Sequence, residues 1–147
     1  MTARSKGQAV VEFAFVAPML VILTLTTIYV GIAFMDYSQY NNAARAAARD
    51  ISLTDGFNDK KKLVNDINAQ KKTLLKRYAT QLTSFFTPTW SAVFLDKEGN
   101  KTTDKTEAYD VQVSIDLERE SFSDVLENLH FLPKNFPIVF TMRLENM

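Results

Sequence analysis

Glu12 stands at the lip of a long uncharged run, and Gly7 lies five residues before it. The segment reads Gly7-Gln8-Ala9-Val10-Val11-Glu12, and the 23 residues from Phe13 to Met35 then carry no charge. An ionised carboxylate at the edge of an apolar segment is costly and calls for a partner. Placed one helical turn beyond Gln8, it can neutralise an amine there. Glycine at position 7 presents no side chain, so a second molecule can approach the backbone closely. The chemistry available is therefore charge pairing at a membrane edge, beside a backbone open to attack.

No other constellation competes with it. There is no cysteine, which removes disulfides, thiolate zinc sites and a Cys nucleophile. His130 is the single histidine, without a Ser or carboxylate set around it, and reads as a packing residue near Phe131. Nothing meets the requirements of a catalytic site, so the expectation is a non-enzyme with no cofactor and no metal. Asp96, Glu98, Asn100, Asp104 and Glu107 follow an EF-hand-like spacing, but Lys101 occupies the position that demands glycine. A polar hairpin connection is expected there. Lys60-Lys61-Lys62, Lys71-Lys72 and Lys76-Arg77 set seven cations against Asp59 and Asp66 in one predicted helix. Clustered cations suffice for phosphate contact. These are spread around the helix with few aromatics between, and net charge is zero, so a solvated face is expected and no nucleic acid.

The elements that must position Glu12 are legible. Fourteen of the residues from Phe13 to Met35 are Leu, Ile, Val, Phe or Met, enough to span a hydrocarbon core of roughly 30 Å. Arg4 and Lys6 precede the run and the next cation is Arg45, which places the N-terminus in the cytoplasm and the remainder outside. Pro18 removes one backbone hydrogen bond, as either a tolerated membrane-helix kink or a point of local melting. From Asp36 to Ile51 there is no Gly or Pro and Ala is abundant. The helix is expected to run from Gln8 to about Leu53 with a stripe of Tyr37, Tyr40, Ala44, Ala47 and Ile51, ended by Asp55-Gly56. Asn41, Asn42, Arg45 and Arg49 lie just past the membrane, where they either contact lipid phosphates and neighbouring subunits or form a solvated face.

A second helix is expected from Asn58 to about Phe86, with Leu63, Ile67, Leu74, Tyr78, Leu82 and Phe85 on one side and Pro88 ending it. Strands follow at Trp90–Leu95, at Tyr109–Glu118, where apolar and polar residues alternate strictly, and at Phe136–Glu145. Ser121 to Asp124 can cap a short helix over Val125 to Leu129. The fold class is α+β: a long N-terminal helix, membrane-spanning in its lower half, and a small C-terminal domain. That domain pairs a second helix with a two- to three-stranded antiparallel sheet.

Glycine, glutamate five residues on, then an apolar helix: this pattern resembles the processing site of type IV prepilins. GQAVVEFAFVAPML together with NNAARAAAR (Asn41 to Arg49) is similar to the TadE-like minor pilins, or pseudopilins, of tight-adherence (Flp, type IVb) pilus systems. A thinner likeness extends over residues 108–147. The resemblance implies a leader over 1–7, a transmembrane helix over 8–35 and a pilin-like extracytoplasmic domain over 36–147. It implies cleavage between Gly7 and Gln8, and pairing of the new Gln8 amine with Glu12 of a neighbouring subunit to fix axial register. Implied partners are a prepilin peptidase, other minor pilins, the major pilin, the membrane assembly platform and the lipid bilayer. The implied role is initiation and assembly of a pilus for surface attachment, in or from the cytoplasmic (inner) membrane; major pilins of such systems are shorter. Two other readings stand beside it. One is a pseudopilin of a type II secretion apparatus. The other is an uncleaved single-pass anchor bearing a binding domain, with Glu12 hydrated at the headgroups.

Overall fold

A computed structural model describes residues 3–78, 86–119 and 135–145. In chain order the elements are α1 (Ala3–Leu53), α2 (Phe57–Asn68), α3 (Lys72–Tyr78), β1 (Phe86–Leu95), β2 (Lys101–Thr102), β3 (Asp110–Arg119) and β4 (Asn135–Arg143). The architecture is α+β, with an antiparallel four-stranded sheet in the order β2-β1-β3-β4. The chain divides into two compact units, Met1–Met35 and Asp36–Met147.

The first unit is helical and apolar on every side. Val10, Phe13, Phe15, Met19, Leu23 and Phe34 are all exposed, and a helix without a polar face belongs in lipid or among other helices. Among the described residues α1 is the helix long and apolar enough to cross a membrane. Pro18 lies inside it. The hydroxyls of Thr24, Thr26 and Thr27 donate to the carbonyls of Leu20, Ile22 and Leu23 at 2.8, 2.8 and 2.9 Å, so none needs water.

In the second unit the alanine-rich end of α1 supplies a small-residue surface. Ala43, Ala44, Ala47, Ala48, Ile51 and Ser52 are buried. Of the expected stripe, Ala44, Ala47 and Ile51 are inside, Tyr40 is half-buried and Tyr37 is largely outside. The helix tracks β4 in the same direction. Tyr37 meets Phe136 edge-on at 6.5 Å, the Arg45 guanidinium lies 5.5 Å from the Phe140 ring centre, and Ser52 Oγ donates to the Arg143 carbonyl at 2.5 Å. Gly56, at φ 80, begins α2 where Asp55-Gly56 was expected to stop α1; a Cβ is disfavoured at that φ.

The sheet follows from the alternation in β3. Val111, Val113, Ile115 and Leu117 are fully buried, and rows such as Trp90–Ile115–Ile138 and Phe94–Val111–Met142 line the inner face. The outer face carries Ser91–Ser114–Val139 and Val93–Gln112–Thr141.

The second helix departs from expectation. Instead of one helix from Asn58 to Phe86 there are two short ones, broken by Gln70 at φ 53; residues 79–85 lie outside those described. The break has a partner in the sheet. The Asn68 amide donates to the Ala92 carbonyl at 2.9 Å and accepts its N–H at 2.8 Å, as a neighbouring strand would. Gln70 Nε2 donates to the Trp90 carbonyl at 2.6 Å. The buried stripe of α2 is Phe57, Lys60, Val64 and Ile67, while Leu63 is half-buried. Pro88 ends no helix; it lies in β1, which begins four residues before the expected Trp90. Trp90 and Ala92 turn their polar backbone groups away from β3, and Pro88 shares their parity, so its missing N–H falls on an open edge. Asn68→Ala is expected to cost about 1–3 kcal/mol by stranding both Ala92 groups. A lowered urea midpoint at unchanged m would show it; an unmoved midpoint would mean that water serves this edge equally well.

The loop after β1 folds back as a polar hairpin, and β2 adds a short fourth strand against Phe94 and Leu95. Asp96 Oδ1 accepts the Asn100 N–H at 2.7 Å, and Asp104 Oδ1 accepts the Thr106 N–H at 3.1 Å. These backbone bonds hold both carboxyls below the usual carboxylate range. The expected cap at Ser121–Asp124, the helix over Val125 to Leu129, and His130 with Phe131 all lie outside the described residues.

Candidate functional site

The Gly7–Glu12 segment forms an early turn of α1, and one contact organises it. Gln8 Nε2 donates to Glu12 Oε1 at 3.1 Å, across one helical turn. Both residues are exposed. Were the chain cut before Gln8, the new α-amine would arise on the same residue whose amide already meets Glu12. The bond Gly7–Gln8 lies within the helix, only four residues from its start at Ala3. Helix ends fray readily, so exposing that bond requires little unwinding.

The surroundings of Gly7 are open. A Cβ built on it meets nothing within 4 Å, and its φ is not in the left-handed region. Glycine inside a helix is less favourable than alanine by about 0.5–1 kcal/mol. The chain thus accepts a weaker helix at position 7 with no internal contact to explain it.

Past the membrane-length run, the four polar residues have separate surroundings. Asn41 is half-buried, and Asn42, Arg45 and Arg49 are exposed. Arg45 stacks over Phe140, a contact within its own domain. Asn41, Arg45 and Arg49 fall at i, i+4 and i+8 along α1, on one face of the helix.

The cation cluster is not the uniform solvated face expected. Lys61, Lys62, Lys72 and Lys76 are exposed, Lys71 pairs with Asp66 at 2.5 Å, and Arg77 lies 3.4 Å from Asp50. Lys60 is fully buried. Its Nζ donates to the carbonyls of Ile51 at 3.3 Å, Ser52 at 2.5 Å and Glu145 at 2.7 Å. All three ammonium protons are used, and two serve carbonyls in the last turn of α1, which lack helical partners. The Glu145 N–H also donates to the Ser52 carbonyl, at 3.3 Å. Burial pushes the Lys60 amine below the usual lysine range, while the Asp55 and Glu145 carboxylates oppose that. The signal was present in sequence: Lys60 falls three after Phe57 and four before Val64, on the apolar stripe. A second polar link joins α1 to α3, where the Tyr78 hydroxyl donates to Asp50 Oδ2 at 2.6 Å.

No curated protein and no solved structure matches the chain. Residues 7–49, which hold Gly7, Glu12 and the apolar helix, match the model of a family described as TadE-like protein.

Proposed function

We propose that this chain is made as a membrane-inserted prepilin, is cut between Gly7 and Gln8, and then enters a tight-adherence pilus as a minor pilin or pseudopilin acting in its assembly. The observation that carries the reading is Gly7: a helical glycine in open surroundings, five residues before Glu12, the charge at the N-terminal lip of the apolar run. The TadE-like match supports a pilus-associated protein in general. Within the proposal, a prepilin peptidase removes residues 1–7, and Glu12 neutralises the amine left on Gln8 when the helix moves from lipid into a bundle of subunits. The partners are other minor pilins, the major pilin and the assembly platform. The domain after Asp36 lies outside the cytoplasm, and no catalytic role belongs to it.

Terminal sequencing or intact mass of the protein from its native host tests this, beside a Gly7→Leu variant. The native form is expected to begin at Gln8 and the variant to keep its leader. A native chain that still begins at Met1 or Thr2, with surface attachment intact, would leave a single-pass anchor bearing a binding domain.

A further inference from the structure

We propose that the outer edge of β4 is a docking site for a second copy of this chain, joined by antiparallel β4–β4 pairing. The Leu144 N–H donates to the Tyr109 carbonyl, continuing the β3–β4 register. Polar backbone groups alternate in direction along an antiparallel strand. The even-numbered residues of β4 therefore turn theirs to β3, and Pro137, Val139, Thr141 and Arg143 turn theirs to the open side. The bonds at the strand's end agree. Ser52 Oγ reaches the Arg143 carbonyl, and Ser52 and Lys60 take up the N–H and carbonyl of Glu145. Among the described residues nothing bonds the outward N–H and carbonyl of Val139 and Thr141, the N–H of Arg143 or the carbonyl of Pro137. The far edge of the sheet is different, because Asn68, Gln70 and β2 serve β1 there.

The open pattern is self-complementary about Phe140. With Phe140 facing Phe140 of the second copy, Val139 exchanges two bonds with Thr141 of that copy, and Thr141 does so with its Val139. Pro137 has an acceptor and no donor. It faces Arg143, whose carbonyl Ser52 already holds and whose N–H is free to give. Every open group then finds a partner. A slip of two residues sets Thr141 opposite Pro137, or Val139 opposite the occupied Arg143 carbonyl, and leaves a polar group unmet either way. On the inner face the same register joins Phe140 to Phe140 and Ile138 to Met142, and Phe140 and Met142 are only half-buried in the single chain. On the outer face Val139, 56% exposed, meets Thr141. An open edge is a template for another strand, and charged side chains commonly guard it; β4 has none before Arg143. From Tyr37 to Ser52, α1 runs in the same direction as β4, so the two chains enter the pair at Asp36 from opposite ends. Such a contact suits copies borne on two membranes or filaments, as a homotypic adhesion between them. It needs only the domain after Asp36 and holds whether or not the leader is cut.

The chain has no cysteine, so register can be read by cross-linking full chains held one to a lipid nanodisc. Facing residues of a bonded antiparallel pair lie about 5.5 Å apart at Cα, within disulfide reach. Diagonal neighbours lie about 7–8 Å apart, beyond it. Under mild oxidation, Val139→Cys discs mixed with Thr141→Cys discs are expected to give a disulfide-linked dimer, and either variant alone is expected to stay single. No dimer in the mixture, or as much in either variant alone, overturns the proposal. A second variant reads the pairing without cysteines. Thr141→Pro removes an outward N–H and no bond to β3, so its urea midpoint should match wild type while disc-to-disc association in sedimentation weakens by about tenfold or more. Wild-type discs that stay single, or Thr141→Pro discs that pair as well as wild type, overturn it too.

Discussion

Glu12→Gln is expected to leave membrane insertion and cutting after Gly7 intact, yet to lower entry into a filament by roughly two to almost four orders of magnitude. The amide has the shape of the carboxylate and still accepts the bond from Gln8 Nε2. Only the charge goes, and losing a charge at the membrane edge makes insertion easier. On the proposed processing and assembly, the penalty appears later, when the Gln8 amine is drawn among apolar helices without its counter-ion. Removing one member of a buried ion pair costs about 3–5 kcal/mol, and each 1.4 kcal/mol is about tenfold in an equilibrium. The readout is the ratio of variant in sheared filaments to variant in membranes, each normalised to wild type. A ratio within about threefold of wild type would identify Glu12 as a carboxylate hydrated at the headgroups.

What was legible in the sequence was what depends on linear spacing. The Gly7-to-Glu12 interval and the uncharged run need no knowledge of the sheet. The strict alternation from Tyr109 to Glu118 placed β3, because that strand is buried on one face and half-buried to exposed on the other. The misreadings share one physical cause: a side chain or backbone group serving a partner distant in sequence. Pro88 reads as the stop of a helix that runs to about Phe86. The start of β1 at Phe86 is set by pairing with β3 residues up to Arg119, and Pro88 fits because its nitrogen meets an open edge. The break at Gln70 has no glycine to announce it; it exists beside side-chain amides bonded to Ala92 and Trp90, twenty-four and twenty residues away. Among the cations, charge is no mark of exposure at Lys60, which shares the stripe of Val64 and Ile67. Periodicity was the better guide at that position.

Lys60→Met should lower stability by about 1–3 kcal/mol near neutral pH, and the difference from wild type should widen as pH rises. Its first part follows from the acceptors left behind. The Ser52 carbonyl keeps the Glu145 N–H, and Glu145 is exposed, so water can replace the lysine there. The Ile51 carbonyl, in a fully buried residue, is the group left poorest. Against that loss stands the relief of no longer burying a charge, which holds the net effect to the size of one stranded acceptor. The pH trend follows from proton counting. Burial sets the folded-state pKa of Lys60 below its ordinary value near 10.4. Between those two values the unfolded chain holds the extra proton, so wild-type stability rises with pH through that window. Tyr78 runs the other way. Burial, and then its bond to Asp50, raise its phenol above the ordinary value near 10, so stability present below that pH is lost above it. Tyr78 is common to both proteins, so the difference between wild type and Lys60→Met isolates the lysine. Urea midpoints at neutral pH and at mildly alkaline pH measure it, with Lys62→Met expected to stay within about 0.5 kcal/mol of wild type at each. A difference that narrows with rising pH would mean that the three carbonyls hold the proton on Lys60 more strongly than burial expels it.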